Sequence, residues 1–236
     1  MTQSPWQPIS PPKPPRPVKE PLTRERIVDA AMRVLIEHGY DAVSMRKIAQ
    51  ELGTGPASLY AHVANKGELD QLLVDRASAQ MHLPATPDPA QWQEQLKDWM
   101  REMLRVLRAN PGVARAAIGQ VPLGEQAMSS TEKLLAILKA GNLPDQAAAW
   151  AADLVPLYVT AISFEETVQN ASAWTPADVE RFVVQMRTYF EGLSADRFPM
   201  TVALAAALTA GASGDERFEF GITVIAGGLA ALAVPE

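Results

Sequence analysis

The chain has 236 residues, 47% of them hydrophobic, enough to build a buried core in one large domain or two small ones. It contains no cysteine, which excludes a disulfide framework, a thiolate metal site and a cysteine nucleophile. The net charge is −6, yet residues 1–66 hold nine Lys/Arg against six Asp/Glu and the remainder 12 against 21, so a head of +3 sits on a body of −9, and only the head is suited to a polyanion.

Residues 1–21 carry eight of the 19 prolines and read as a disordered or polyproline arm, in which Lys13, Arg16 and Lys19 either add phosphate contacts or belong to a passive extension. No basic-then-apolar leader pattern opens the chain. From Leu22 the pattern is helical. Thr23 is placed to cap a helix with Ile27, Ala31, Val34, Leu35 and His38 at helical spacing, ending at Gly39. Ser44 caps a second, short helix with Ile48, Ala49 and Leu52 inward, stopped by Gly53. Thr54 is expected to cap a third over Ala57 to about Val63, with Pro56 in its first turn. Asn65 caps a fourth that carries Leu69, Leu72, Leu73 and Ala77. The turn "GTGP" between the second and third helices makes a helix-turn-helix unit.

The proline-rich stretch 83–90 reads as a linker, so the expected division is an arm over 1–21, a head over 22–82 and a body over 91–236. Helices are expected over Trp92–Ala109, a stub over Pro111–Ile118, then Glu125–Ala140, Asp145–Ala171 with a kink at Pro156, Thr175–Gly192 and Asp215–Leu232. The class is all-α. The longest uncharged run, Phe198–Gly214, has 17 residues and falls short of the roughly 20 a spanning helix needs, so no membrane segment and a cytoplasmic location are expected.

In a helix-turn-helix the second helix enters the major groove and the first crosses the backbone. Leu59 and Val63 can face inward, leaving Pro56, Ala57, Ser58, Tyr60 and His62 toward the groove or its rims. Arg46 and Lys47 lie in the first turn of the preceding helix, where one can reach a guanine and the other a phosphate; Lys66 would anchor a second phosphate. Each residue also has a plainer reading, Tyr60 as a packing tyrosine and the others as solvated surface.

The segment Thr23–Leu73 closely resembles the N-terminal DNA-binding domain of the TetR family of bacterial repressors, matching in "SMRKIAQELG", "SLYAHVANK" and "ELDQLL". "FEFGITVIAGGLAAL" is similar to the closing helix of the tetracycline-repressor subgroup. The resemblance implies Arg46 as base reader, with Ser44, Lys47, Ser58, Tyr60, His62 and Lys66 on or near the backbone; Thr54, Pro56 and Ala57 complete the expected DNA-binding set. Where the subgroup has Gln-Pro, this chain has Pro56-Ala57, which can touch a thymine methyl but cannot hydrogen-bond a base, so a different operator is expected.

The resemblance further implies a homodimer paired through a four-helix bundle, for which Asp145–Ala171 and Asp215–Leu232 are suited by small residues such as Ala147, Ala151, Gly227 and Gly228; an internal core would also account for them. His82, Trp99, Met103, Met128, Trp150 and Phe164 are candidates for an adaptable ligand pocket, each also explicable as core. No histidine follows His82, so the magnesium grip of the tetracycline repressor is not expected; Glu165-Glu166 could hold a cation or form a solvated face. No metal, cofactor or catalysis is expected, since H-x-x-x-H and E-x-x-H pairs and a glycine-rich phosphate loop are missing. The reading is a ligand-responsive regulator, a repressor released from a palindromic DNA operator by a small, largely apolar effector. Its competitor is a helical small-molecule-binding or adaptor protein whose head does not read DNA.

Overall fold

The computed structural model describes residues 21–83, 86–170, 174–210 and 214–234. The arm expected over 1–21 lies almost wholly outside the described residues. Helix α1, Arg24–His38, begins where the Thr23 hydroxyl accepts the Arg26 N–H at 3.3 Å and ends at Gly39, with φ of 79°. A 3-10 turn, Tyr40–Ala42, leads to α2, Met45–Glu51, whose N-terminal Lys47 N–H is capped by the Ser44 hydroxyl at 3.2 Å. Then come α3, Pro56–Leu59, and α4, Lys66–Ser78, capped by Asn65 Oδ1 on the Glu68 N–H at 2.9 Å.

Two local expectations need correction. Gly55, not Thr54, is the N-cap of α3, and no side chain caps it; Pro56 already removes one donor, so less is left to satisfy. The helix itself is shorter than Ala57–Val63, although the Leu59 carbonyl still accepts the N–H groups of His62 and Val63, both at 2.9 Å, so a last turn continues the same surface.

The body consists of α5, Trp92–Ala109; α6, Val113–Ala117; α7, Glu125–Ala140; α8, Asp145–Asn170; α9, Pro176–Glu191; α10, Pro199–Ala203; α11, Ala205–Leu208; and α12, Gly214–Ala230. The described residues contain no strand. Thr175 and Asp178 form a reciprocal capping box that starts α9. The short helices α10 and α11 fall inside the uncharged run that sequence periodicity left unassigned.

Helix α1 packs on α2 and α4 through Ile27, Ala31 and Leu35, while Leu59 reaches in from α3. The body is organised by α5, whose contacts with α7, α8 and α12 bury Leu96, Trp99, Met100 and Leu104. Burying a Leu or Met side chain contributes about 1.5–3 kcal/mol, so these layers dominate stability. The two cores are one cluster: α4 packs on α1 and also on α5, α6 and α7, so the last helix of the 22–82 segment is seated in the body. Ion pairs tie α12 down. Arg101 grips Glu219 through two hydrogen bonds of 2.8 and 2.7 Å, and Arg108 bridges Glu166 of α8 and Asp215 of α12, each at 2.7 Å.

Helix α8 runs through Pro156 without interruption and, by length and composition alone, is apolar enough to cross a membrane, a property the count of uncharged residues misses because Asp153 divides it. One face, with Ala148, Ala151, Val155 and Val159, is buried in the bundle; the other leaves Trp150, Leu154 and Leu157 exposed.

Candidate nucleic-acid interface and ligand cavity

The residues expected to face DNA lie at the start of α2, in the GTGP turn, on α3 and the turn after it, and, for Lys66, at the start of α4. Leu59, fully buried, seats α3, with buried Val63 beyond it. Ser44, Arg46, Pro56, Ala57 and Ser58 are exposed, Tyr60 is 53% exposed, and Lys47, Thr54 and His62 are half-buried. Among the described residues, the Arg46 and Lys47 side chains make no ion pair, which leaves both cations available to an anion. Ser44 spends its hydroxyl's acceptor on the cap of α2 and retains a donor for a phosphate.

Lys66 is placed differently from its neighbours. Its ammonium pairs with the buried carboxylate of Asp70, 4% exposed, and lies 4.0 Å from the centre of the Tyr40 ring, whose hydroxyl donates to Asp70 at 2.9 Å. Arg115 of α6 covers the same ring at 5.2 Å and pairs with Asp41 at 2.7 Å. Lys66 is therefore fixed in orientation, with one of its three donors committed. Arg24 plays a similar fastening part: its Nε donates to the His62 carbonyl at 3.1 Å and its guanidinium pairs with Glu68, holding the end of the reading turn against α1 and α4. Sequence reasoning missed Tyr40, Asp70 and Arg24, because these contacts join residues 30 to 44 positions apart.

Burial, followed by the bond to the Asp70 carboxylate, pushes the Tyr40 phenol up to about 12 from its ordinary 10.0. Folding holds this group neutral, so its contribution to stability is complete below pH 10.0 and is lost as pH rises toward about 12. Urea unfolding across that window should show stability falling with pH, and Tyr40→Phe should flatten the fall; an identical slope in the variant would refute the assignment.

Helices α4, α5, α6, α7 and α8 and the segment 118–122 line a partly open cavity of about 510 Å³. Trp99, Met103 and Met128 line it, the Trp99 ring fixed by its Nε1–H donating to the Ser130 carbonyl at 3.3 Å. The walls are mainly apolar, with Gln71, Thr131, Asp153 and Thr160 as polar points.

The other three expected ligand residues lie elsewhere. The His82 side chain is 87% exposed and turned to Glu102, its Nδ1 3.3 Å from Oε1; Glu102 in turn accepts the His82 backbone N–H at 2.6 Å. Arg105 holds that Glu102 carboxyl down to about 2. Trp150, 69% exposed, points off the outer face of α8, since it lies two positions from Ala148, a buried residue of the inner face. Phe164 packs on the core away from the cavity. Among the cavity residues that sequence reading missed are Gln71, Val74, Ser78 and Met81, which recur along one face of α4 and its extension. That stripe was available as a signal, but it reads equally as core. Glu165 and Glu166 are not free for a cation, being paired with Arg217 and Arg108, and among the described residues no three acidic or histidine side chains are grouped to hold a metal.

Residues 27–70 match the model of bacterial regulatory proteins of the tetR family, and residues 84–233 match the tetracyclin repressor-like C-terminal domain. The HTH-type transcriptional repressor DrrR1 of Streptomyces coeruleorubidus is 31% identical over 224 residues, covering 93% of this chain and 82% of that protein. Among solved structures, ActR from Streptomyces coelicolor in complex with actinorhodin is 40% identical with a TM-score of 0.81, covering 92% of this chain and 100% of that one. The same protein in complex with (S)-DNPA gives a TM-score of 0.80 over 91% of this chain and 100% of that one.

Proposed function

The chain belongs to the TetR family of bacterial transcriptional regulators, and on that premise we propose that it acts as a homodimeric repressor in the cytoplasm, released from a palindromic operator when a small, largely apolar ligand fills its cavity. The observation that carries this reading is the double role of α4, which closes the reading head through Leu69 and Leu73 and walls the cavity through Gln71, Val74 and Ser78. A ligand that prefers one setting of α4 thereby prefers one spacing of the heads, and operator affinity falls by that differential affinity. Two ligand complexes of a 40% identical protein support ligand control here.

Arg46 is the base reader in this account, Ser44, Lys47, Thr54, Ser58, Tyr60, His62 and Lys66 hold the backbone, and Pro56 and Ala57 meet thymine methyls. The dimer contact is formed by the outer face of α8, with Trp150, Leu154 and Leu157, and by α12, with Phe220 and Val224; these large apolar side chains are exposed in the single chain. No chemical step is required of any residue.

Footprinting on the DNA flanking the gene tests the proposal. Two protected half-sites are expected, about 34–36 Å or a multiple of that apart, and added actinorhodin serves as the first effector to try for release. Protection of a single unpaired half-site would overturn the dimeric reading.

A further inference from the structure

The start of α7 lacks a cap of its own. Its N-cap, Gly124, has no side chain, and Asp75 Oδ1 accepts the two orphan N–H groups that follow, from Gln126 and Ala127, at 2.8 and 3.0 Å. Asp75 belongs to α4. A Cβ at position 124 would overlap its carboxylate, so the glycine is what admits this cap from another helix. One turn earlier on α4, Gln71 grips the preceding segment: its Oε1 accepts the Leu123 N–H at 3.1 Å, and its Nε2 donates to the Val121 carbonyl at 2.8 Å and to Gln120 Oε1 at 3.0 Å. The gripped stretch, together with Ala127 and Met128, is a wall of the cavity.

We infer that Asp75, seconded by Gln71, is the clamp through which occupancy of the cavity is communicated to α4 and the DNA-reading head. This inference rests on the regulator reading and adds to it the residues that carry the signal. A ligand pressing on 119–128 displaces the α7 start, and α4 is drawn with it because its Asp75 carboxylate accepts two of α7's orphan donors. The carboxylate also lies on the positive end of the α7 dipole, where its charge strengthens the grip. Without the clamp, the hydrogen-bonded link from the α7 start to α4 is cut and packing alone joins them.

The test needs no known ligand, because Ala152→Trp places a large side chain in the cavity from the opposite wall, on α8. Four full-length proteins are compared: wild type, Asp75→Ala, Ala152→Trp and the double variant, read by hydrogen exchange over residues 66–81 and by affinity for the footprinted operator. In the wild-type background Ala152→Trp should speed α4 exchange and weaken operator binding about tenfold, within the usual range of such couplings. In the Asp75→Ala background both effects should shrink below about twofold. Asp75→Asn, which keeps an acceptor oxygen, should restore them; a merely structural loss of stability would not follow that order. Equal effects of Ala152→Trp in both backgrounds, or no effect in either, would overturn the clamp. Should Asp75→Ala fail to fold, Gln71→Ala takes its place in the cycle. If the wild type binds no duplex at all, the regulator reading fails, and the exchange measurements still decide the clamp.

Discussion

Arg46→Ala will leave the protein folded and remove most of its sequence-specific DNA affinity. Arg46 is exposed at the first turn of α2 and, among the described residues, its side chain supports no other group, so stability should shift by no more than about 0.5 kcal/mol. A bidentate arginine–guanine contact is worth about 1–3 kcal/mol, and a symmetric dimer makes it twice, so operator binding should weaken by roughly 2–6 kcal/mol. Binding to a scrambled duplex should change far less, since a lost phosphate contact acts on every sequence alike. Anisotropy titrations on both duplexes, with circular dichroism melting as the folding control, distinguish the two effects; parallel losses on both duplexes would show that Arg46 contacts only the backbone.

Leu59→Ala is expected to act in the opposite order, on structure first. Leu59 is the single buried residue of α3 and is 0% exposed, so truncation removes its transfer free energy and leaves a cavity under the reading helix, costing about 2–5 kcal/mol. A four-residue helix without a side-chain cap has little else to seat it. Urea unfolding should report the loss, and operator and scrambled duplexes should both bind more weakly. Leu59→Met, close in volume, should cost less than about 1.5 kcal/mol and keep the reading surface. If Leu59→Ala unfolded at the wild-type urea midpoint, the seat assigned to this side chain would be wrong.

These two positions show where the sequence was legible. Caps and apolar spacing are local signals, so Thr23, Ser44, Asn65 and Thr175 mark their helix starts correctly, and the inward placement of Leu59 and Val63 follows from a spacing of four. Thr54 misled because a threonine two residues before proline looks like a cap, whereas Gly55 adopts the extended N-cap conformation itself, φ −87° and ψ 150°. Long-range geometry was out of reach. Nothing local ties Lys66 to Tyr40, Asp75 to the start of α7, or Arg101 to Glu219. The ligand candidates divide on the same line. Trp99 and Met103, four apart on α5, fall on the cavity side together, while His82 follows the end of α4 and is drawn outward by Glu102. Residue type selected Trp150 and Phe164, but only packing decides which face of α8 each occupies. Helix α9 has no buried residue, and the sequence held no sign that an amphipathic pattern would face solvent in the single chain.

We propose that the mildly basic head of this acidic protein reads a DNA sequence. Affinity for the duplex flanking its own gene, against a scrambled duplex at two salt concentrations, tests it most directly. Preference for the native duplex, with both affinities falling as salt rises through release of counterions from phosphates, is the predicted result. Equal and weak binding to both duplexes, and to a genome-wide pool of selected DNA, would contradict it.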